Sequence, residues 1–189
     1  MAMPPDAELL PVAEARTGDT RAWTVLLGRY QRPLFTFVNE LVRREEAALD
    51  LVQETFVRAV RHLPTLREDA RFGSWLFGIA HQLCAQRSRR AWREEALGDH
   101  LDEAADDTLP APGELLVREE EAAAVFALLA ELPEAQRAAF TLHVLEDFSL
   151  EEIATITGAP VGTVKSRLHH AKRALRERLN ENPELLNRS

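Results

Sequence analysis

What this sequence has little of narrows it quickly. A single cysteine, Cys84, excludes an intramolecular disulfide framework and fits a reducing cytoplasm. Glycine is scarce, eight in 189 residues, and the apolar residues recur at three- and four-residue intervals, so helix is the expected structure. No stretch approaches the roughly 18 continuous apolar residues of a membrane span. The first fifteen residues, MAMPPDAELLPVAEA, carry three acids and no base, unlike a secretory or transit signal; they read as a mobile lead. The six histidines form no ligand cluster with acids or cysteines. His81 and Cys84 stand three apart on a predicted helix, but two ligands rarely make a metal site, so neither metal nor other cofactor is expected. No nucleophile–base–orienter set is present either, and the expectation is a protein without catalytic activity.

Charge is plentiful but unevenly spread. The net charge of -8 argues against nucleic acid as a partner, yet residues 16–93 hold fourteen Arg/Lys against eight Asp/Glu. Residues 94–121 hold one base against eleven acids, and 122–189 hold eight against nine, with the bases crowded between Lys165 and Arg178. A basic block, an acidic block and a basic final helix allow electrostatic contact with DNA at both ends.

The pattern predicts an all-α chain of two small helical domains. In the first, 16–93, helices are expected over Asp19–Arg44 with a kink or break at Pro33, over Glu45–His62, and over Phe72–Arg93 after a polar loop, Thr65–Arg71. In the second helix Leu49, Val52, Phe56, Val60 and Leu63 are expected inward. Residues 94–118, acidic and broken by Pro110, Pro112 and Gly113, read as a linker. The second domain is expected over 119–180, with Val125, Leu128, Leu129 and Leu132 on one stripe and Pro133 dividing two helices. Residues 181–189 form a tail.

The strongest local signal is SLEEIATITGAPVGTVKSRLHHAKRALRERL, Ser149–Leu179. Ser149 with Glu152 is a capping box, Gly158 permits a tight turn, and Pro160 pre-sets a second helix, the layout of a helix-turn-helix. Val164, Leu168, Ala171 and Leu175 share one face at 100° per residue and predict the buried side. The other side offers Gly162, Lys165, Ser166, His169, His170, Lys172 and Arg173, small residues first and bases after, as entry into a major groove requires. A solvated amphipathic helix is the bland alternative, and the pattern alone says only that the chain is some kind of regulator.

In the first domain Trp75, Gln82, Gln86, Arg89 and Arg93 run along one flank of the third helix, beside a core face of Leu76, Ile79, Ala80 and Leu83. An aromatic to stack, amides to read base edges and arginines for phosphates are what single-stranded DNA needs. The same spacing fits a core tryptophan with a solvated helix end. Asp50, Glu54, Val57 and Arg61, with Gln53 adjacent, form an exposed stripe on the second helix; Glu54 and Arg58 equally make an ordinary i,i+4 surface pair.

The ordered blocks DLVQETFVRAVRHL, FGSWLFGIAHQLCAQRSRR and LPEAQRAAFTLHVLEDFSLEEIATITGAPVGTVKSRLHHAKRALRERL resemble the extracytoplasmic-function sigma factors of bacterial RNA polymerase, over about residues 19–93 and 119–180. The resemblance implies a sigma region 2-like bundle and a sigma region 4-like helix-turn-helix domain. It implies docking of Asp50, Gln53 and Glu54 on the clamp helices of the largest catalytic subunit, and of the second domain on the flap of the second-largest. The loop Thr65–Phe72, with Arg67 and Phe72, and the following helix, with Trp75, Gln82, Gln86, Arg89, Arg90 and Arg93, would capture the melted minus-ten element around a flipped base. Thr163, Lys165, Ser166, His169 and His170 would read the minus-thirty-five element, with Arg167 and Lys172 on phosphates. Gln82 stands where many members carry asparagine, and the two histidines where many carry an aromatic or arginine. The linker in relatives threads toward the polymerase cleft. Many members are held inactive by an anti-sigma protein covering both polymerase-binding faces, an expectation extended here. The protein is thus expected in the cytoplasm, without membrane insertion. Two other readings stay open at this point: an ordinary helix-turn-helix regulator with a sensor domain, and an enzyme concealed in the first domain.

Overall fold

The computed structural model describes residues 10–96 and 126–181, all of them in helices, turns or short connections, with no strand among them. The helices are α1 (Val12–Arg16), α2 (Thr20–Val42), α3 (Glu45–His62), α4 (Phe72–Ala96), the described part of α5 (126–130), α6 (Glu134–Phe140), α7 (Leu150–Thr157) and α8 (Val161–Glu181).

The chain enters structure earlier than its composition suggests. Val12 and Ala15 of α1 are buried, so the expected lead ends before residue 12; residues 1–9 lie outside the described part. The loop Thr65–Arg71 also differs, flanked by 3-10 turns at Leu63–Thr65 and Asp69–Arg71. α4 runs on to Ala96, past the expected linker start at residue 94, and the remainder of that segment, with Val125 and the tail from 182, is outside the described residues.

Pro33 does not break α2. It removes one backbone donor, at a cost of about 3 kcal/mol in a helix interior. Burial of Tyr30, Leu34, Phe37 and Val38 on either side holds the helix through it. Asp19 caps the start, its carboxylate accepting from Arg21 N–H at 2.8 Å. Gly73 lets α4 approach α2 closely, since a Cβ there would lie 3.1 Å from the Tyr30 hydroxyl.

Two residues expected inward on α3 face outward. Leu49 is 52% exposed and Val60 54%, while Ala48, Thr55 and Ala59 are buried beside Val52, Phe56 and Leu63. Small side chains bring α3 close to α2 and α4 and turn the larger ones to an open groove of about 370 Å³, lined by Trp23, Leu27, Leu49, Phe56 and Val60 among others.

The two sequence domains share a core. α4 packs along α7, and one hydrophobic cluster runs from Val12 and Phe37 through Phe77 to Leu142, Phe148, Ile153 and Ile156. Phe77 packs at a tilt against Phe37 at 5.4 Å and edge-on against Phe148 at 4.9 Å between ring centroids. A smaller cluster joins Leu128, Leu129 and Leu132 to Ala171 and Leu175 of α8.

Between α6 and α7 the helix widens into a π-turn, Thr141–Leu145, followed by the buried Glu146. Burial pushes the Glu146 carboxyl up to about 7, with the Asp147 charge adding to the effect. A folded pKa above the unfolded one means that stability is lost as pH rises from about 4.5 through about 7, by up to about 3 kcal/mol. Glu146→Gln should therefore raise the melting temperature at about pH 8 and leave it nearly unchanged at about pH 4.5. Equal shifts at both pH values would refute this account.

Candidate nucleic-acid interface

α4 divides its surface between two tasks. Taken at 100° per residue, Trp75, Gln82, Gln86, Arg89 and Arg93 fall within about 60° of one another, and Phe77, His81 and Cys84 lie on the opposite side. That opposite side faces the second unit: Phe77 meets Phe148, and a Cβ at Gly78 would stand 4.0 Å from the Ile156 Cα. Burial lowers the His81 pKa, favouring the neutral ring. Burial also pushes the Cys84 thiol up to about 12, so it stays protonated and behaves as a core residue. Among the described residues no group of three or more His, Cys, Asp or Glu side chains is placed to hold a metal ion.

The first flank is largely open to solvent. Gln82, Gln86, Arg89, Arg90 and Arg93 are exposed, as is Arg67 in the preceding loop. Trp75 is half-buried, its ring 5.9 Å from Phe72, so one edge of the indole is available. Phe72 requires a correction: it is fully buried between Trp23, Tyr30 and Trp75 and offers no surface to a base in this conformation. It supports the site from below. The sequence reading also omitted Trp92, which is 76% exposed and flanked by Arg89, Arg90 and Arg93. The available signal was a bulky aromatic inside an arginine run.

The helix-turn-helix is built as its sequence requires. Ser149 N–H donates to Glu152 Oε2 at 2.9 Å and Glu152 N–H to Ser149 Oγ at 3.3 Å, closing the capping box. Gly158 ends α7 with φ of 66°, a left-handed conformation that disfavours any side chain with a Cβ. On α8, Val164, Leu168, Ala171 and Leu175 are buried. Lys165, Ser166, His169, His170 and Lys172 are exposed and Thr163 is half-buried. The Ser166 hydroxyl donates to Thr163 C=O at 2.9 Å, which leaves its oxygen facing outward as an acceptor. Arg167 is different: half-buried, with its charge felt at His81 of α4.

On α3, Asp50 and Gln53 are exposed, Gln53 lining the apolar groove, while Glu54 is engaged by Arg58 Nε at 2.8 Å. An exposed pair of this kind contributes about 0.3–0.5 kcal/mol, little enough for a stronger basic partner to displace it.

Fold and charge placement define an all-α, helix-turn-helix DNA-binding protein. Its relatives give the family. The model of sigma-70 region 2 matches residues 26–94, and that of sigma-70 region 4 matches 122–175. The chain is 35% identical over 174 residues to the RNA polymerase sigma-H factor of Pseudomonas aeruginosa, covering 87% of this chain and 89% of that one. It is 36% identical over 172 residues to the ECF RNA polymerase sigma-E factor of Escherichia coli, covering 87% and 90%. Among solved structures it is similar to the sigma factor RpoE in complex with the anti-sigma factor NepR from Bartonella quintana, at 26% identity and a TM-score of 0.72, covering 86% of this chain and 99% of that one. It is also similar to CnrH in complex with the cytosolic domain of CnrY, at 26% identity and a TM-score of 0.67, covering 94% and 99%. The chain belongs to the sigma-70 family, as a sigma factor of the extracytoplasmic-function group. It is a transcription initiation factor and not an enzyme, which removes the concealed-enzyme reading and the free-standing regulator with it.

Proposed function

We propose that this sigma factor docks on the clamp helices of the largest polymerase subunit through Asp50, Gln53 and Glu54. The second unit docks on the flap of the second-largest subunit. The α4 flank of Trp75, Gln82, Gln86, Arg89, Arg90 and Arg93, with Arg67 in the loop, takes the melted minus-ten strand. Thr163, Lys165, Ser166, His169, His170 and Lys172 on α8 meet the minus-thirty-five element, joined by Arg167. Phosphate contacts supply affinity and a few base contacts supply choice. The observation that carries this reading is α4 itself, whose basic, amide-bearing flank is exposed on the side away from the second unit.

With a net charge of -8, the free protein binds DNA weakly, and promoter choice arises within the polymerase complex. Because a similar solved structure is a complex with an anti-sigma factor, an anti-sigma protein is the regulator we assign, acting at the two polymerase-docking faces. The setting is the cytoplasm; among the described residues no helix is long and apolar enough to cross a membrane.

Asp50→Lys with Glu54→Lys tests the docking. Core polymerase affinity should fall at least about tenfold, from reversed charge at a rim facing a basic partner. The melting temperature should change little, since both side chains are outside the core. Unchanged affinity, measured by competition with a labelled wild-type protein, would remove α3 from the interface.

A further inference from the structure

We infer that α1 braces the loop between α3 and α4, and that Arg16 is a positioning residue for base choice at the minus-ten element. The inference rests on the reading above that this loop takes the melted strand.

The loop has little to hold it from within. Its ends are anchored by Leu63 and Phe72, both buried, but no residue of the Asp69–Arg71 turn is buried, and Pro64, Thr65, Arg67 and Glu68 are exposed. A segment with so few buried contacts opens at low cost unless something outside it fixes its backbone. Arg16 supplies that restraint. Its Nη2 donates to Leu66 C=O at 3.1 Å and to the Asp69 carboxylate, residues 50 and 53 positions away in sequence. One guanidinium nitrogen thereby holds the loop on both sides of Arg67 and Glu68.

α1 is itself fixed, so the restraint is a rigid one. Val12 and Ala15 are in the core, and the Trp23 indole N–H donates to Ala15 C=O at 3.0 Å. The same guanidinium neutralises Asp69. Without it a bare carboxylate would stand in a site that must receive phosphodiesters, adding repulsion to looseness. Arg16, its side chain 30% exposed and already engaged, acts through Leu66 and Asp69.

The experiment is transcription by holoenzyme, reconstituted from core polymerase and the full chain, on promoters differing at single minus-ten bases. Arg16→Gln should lower the ratio between preferred and substituted elements about tenfold, as expected for loss of a charge-assisted bond. Asp69→Asn, which keeps the Leu66 contact and leaves no bare carboxylate, should lower it less, and the double variant should be no worse than Arg16→Gln, where the Asp69 contact is already lost. Core affinity and minus-thirty-five preference should stay at the wild-type level, which a general loss of structure would not allow. Arg16→Lys, which keeps a charged donor for both the Leu66 carbonyl and Asp69, should recover part of the discrimination, and it decides the matter if Arg16→Gln folds poorly. Unchanged discrimination in Arg16→Gln and Asp69→Asn, or additive effects, overturns the brace. Arg67→Ala separates the causes: if it lowers discrimination while Arg16→Gln does not, only the brace fails. If neither does, the assignment of the loop to the minus-ten element fails with it.

Discussion

A disulfide between positions 78 and 156 should silence transcription. Gly78→Cys and Ile156→Cys, in a Cys84→Ala background, would place two thiols where a Cβ at 78 already stands 4.0 Å from the Ile156 Cα. With a Cβ at 78 that close, the two Cα atoms lie within about 5.5 Å of each other, inside the Cα separation a disulfide spans. The bond would fix α4 to α7 and keep the units in the arrangement described. The two reading surfaces then belong to one body about 40 Å across, by the size expected of so many residues. Minus-ten and minus-thirty-five elements are about 25 base pairs apart, or about 85 Å at 3.4 Å per step along a strand. One closed body cannot reach both. Transcription from a promoter needing both elements should drop at least about tenfold when the pair is oxidised, since misplacing a docked group by far less is already costly. Reducing agent should restore it. Full activity of the oxidised protein would show that the closed arrangement is compatible with initiation.

Local chemistry was legible in the sequence; long-range partnership was not. The capping box, the Gly158 turn and the buried face of α8 depend on residues within one or two turns of each other, and all three stand as read. The exposed edge of α4 was legible for the same reason, as a period. Periodicity failed where two apolar faces compete. Leu49 and Val60 have the spacing of core residues, but Ala48, Thr55 and Ala59 permit the closer helix approach and take the interior. Phe72, placed near DNA by its position at the loop, belongs to an aromatic group with Trp23 and Tyr30 that no local pattern announces. The largest omission was the shared core. Phe77 and Phe148 lie 71 positions apart, on either side of an acidic segment that suggested independence. Arg16 with Asp69 is a case of the same kind, a side-chain contact across 53 positions.

Loss of Arg137 should be the most damaging single change to the fold. Its side chain is buried at 6% exposure, and Nη1 donates to Leu132 C=O at 2.8 Å and to Ala130 C=O at 3.3 Å. It thereby satisfies carbonyls at the end of α5 that have no helical partner beyond them. Its charge also faces Glu40 of α2, whose carboxyl burial pushes up and Arg137 and Arg43 pull back. Arg43 reinforces the joint, donating to Ala130 C=O at 3.1 Å. Arg137→Met keeps the length and removes the charge, leaving a buried acid poorly compensated. Leaving the Leu132 carbonyl without its charged donor costs about 1–3 kcal/mol, with the uncompensated Glu40 adding to it, which for a chain of this size lowers the melting temperature by about 5 °C or more. The pH dependence has a definite sign. Glu40 with its pKa raised is favoured in the protonated form, and more so without Arg137, so the deficit of the variant should shrink as pH falls. Glu40→Gln added to Arg137→Met should recover part of the loss at neutral pH for the same reason, because the two positions are coupled. A deficit that is small, independent of pH and additive with Glu40→Gln would mean that Arg137 only fills space between α2 and α6.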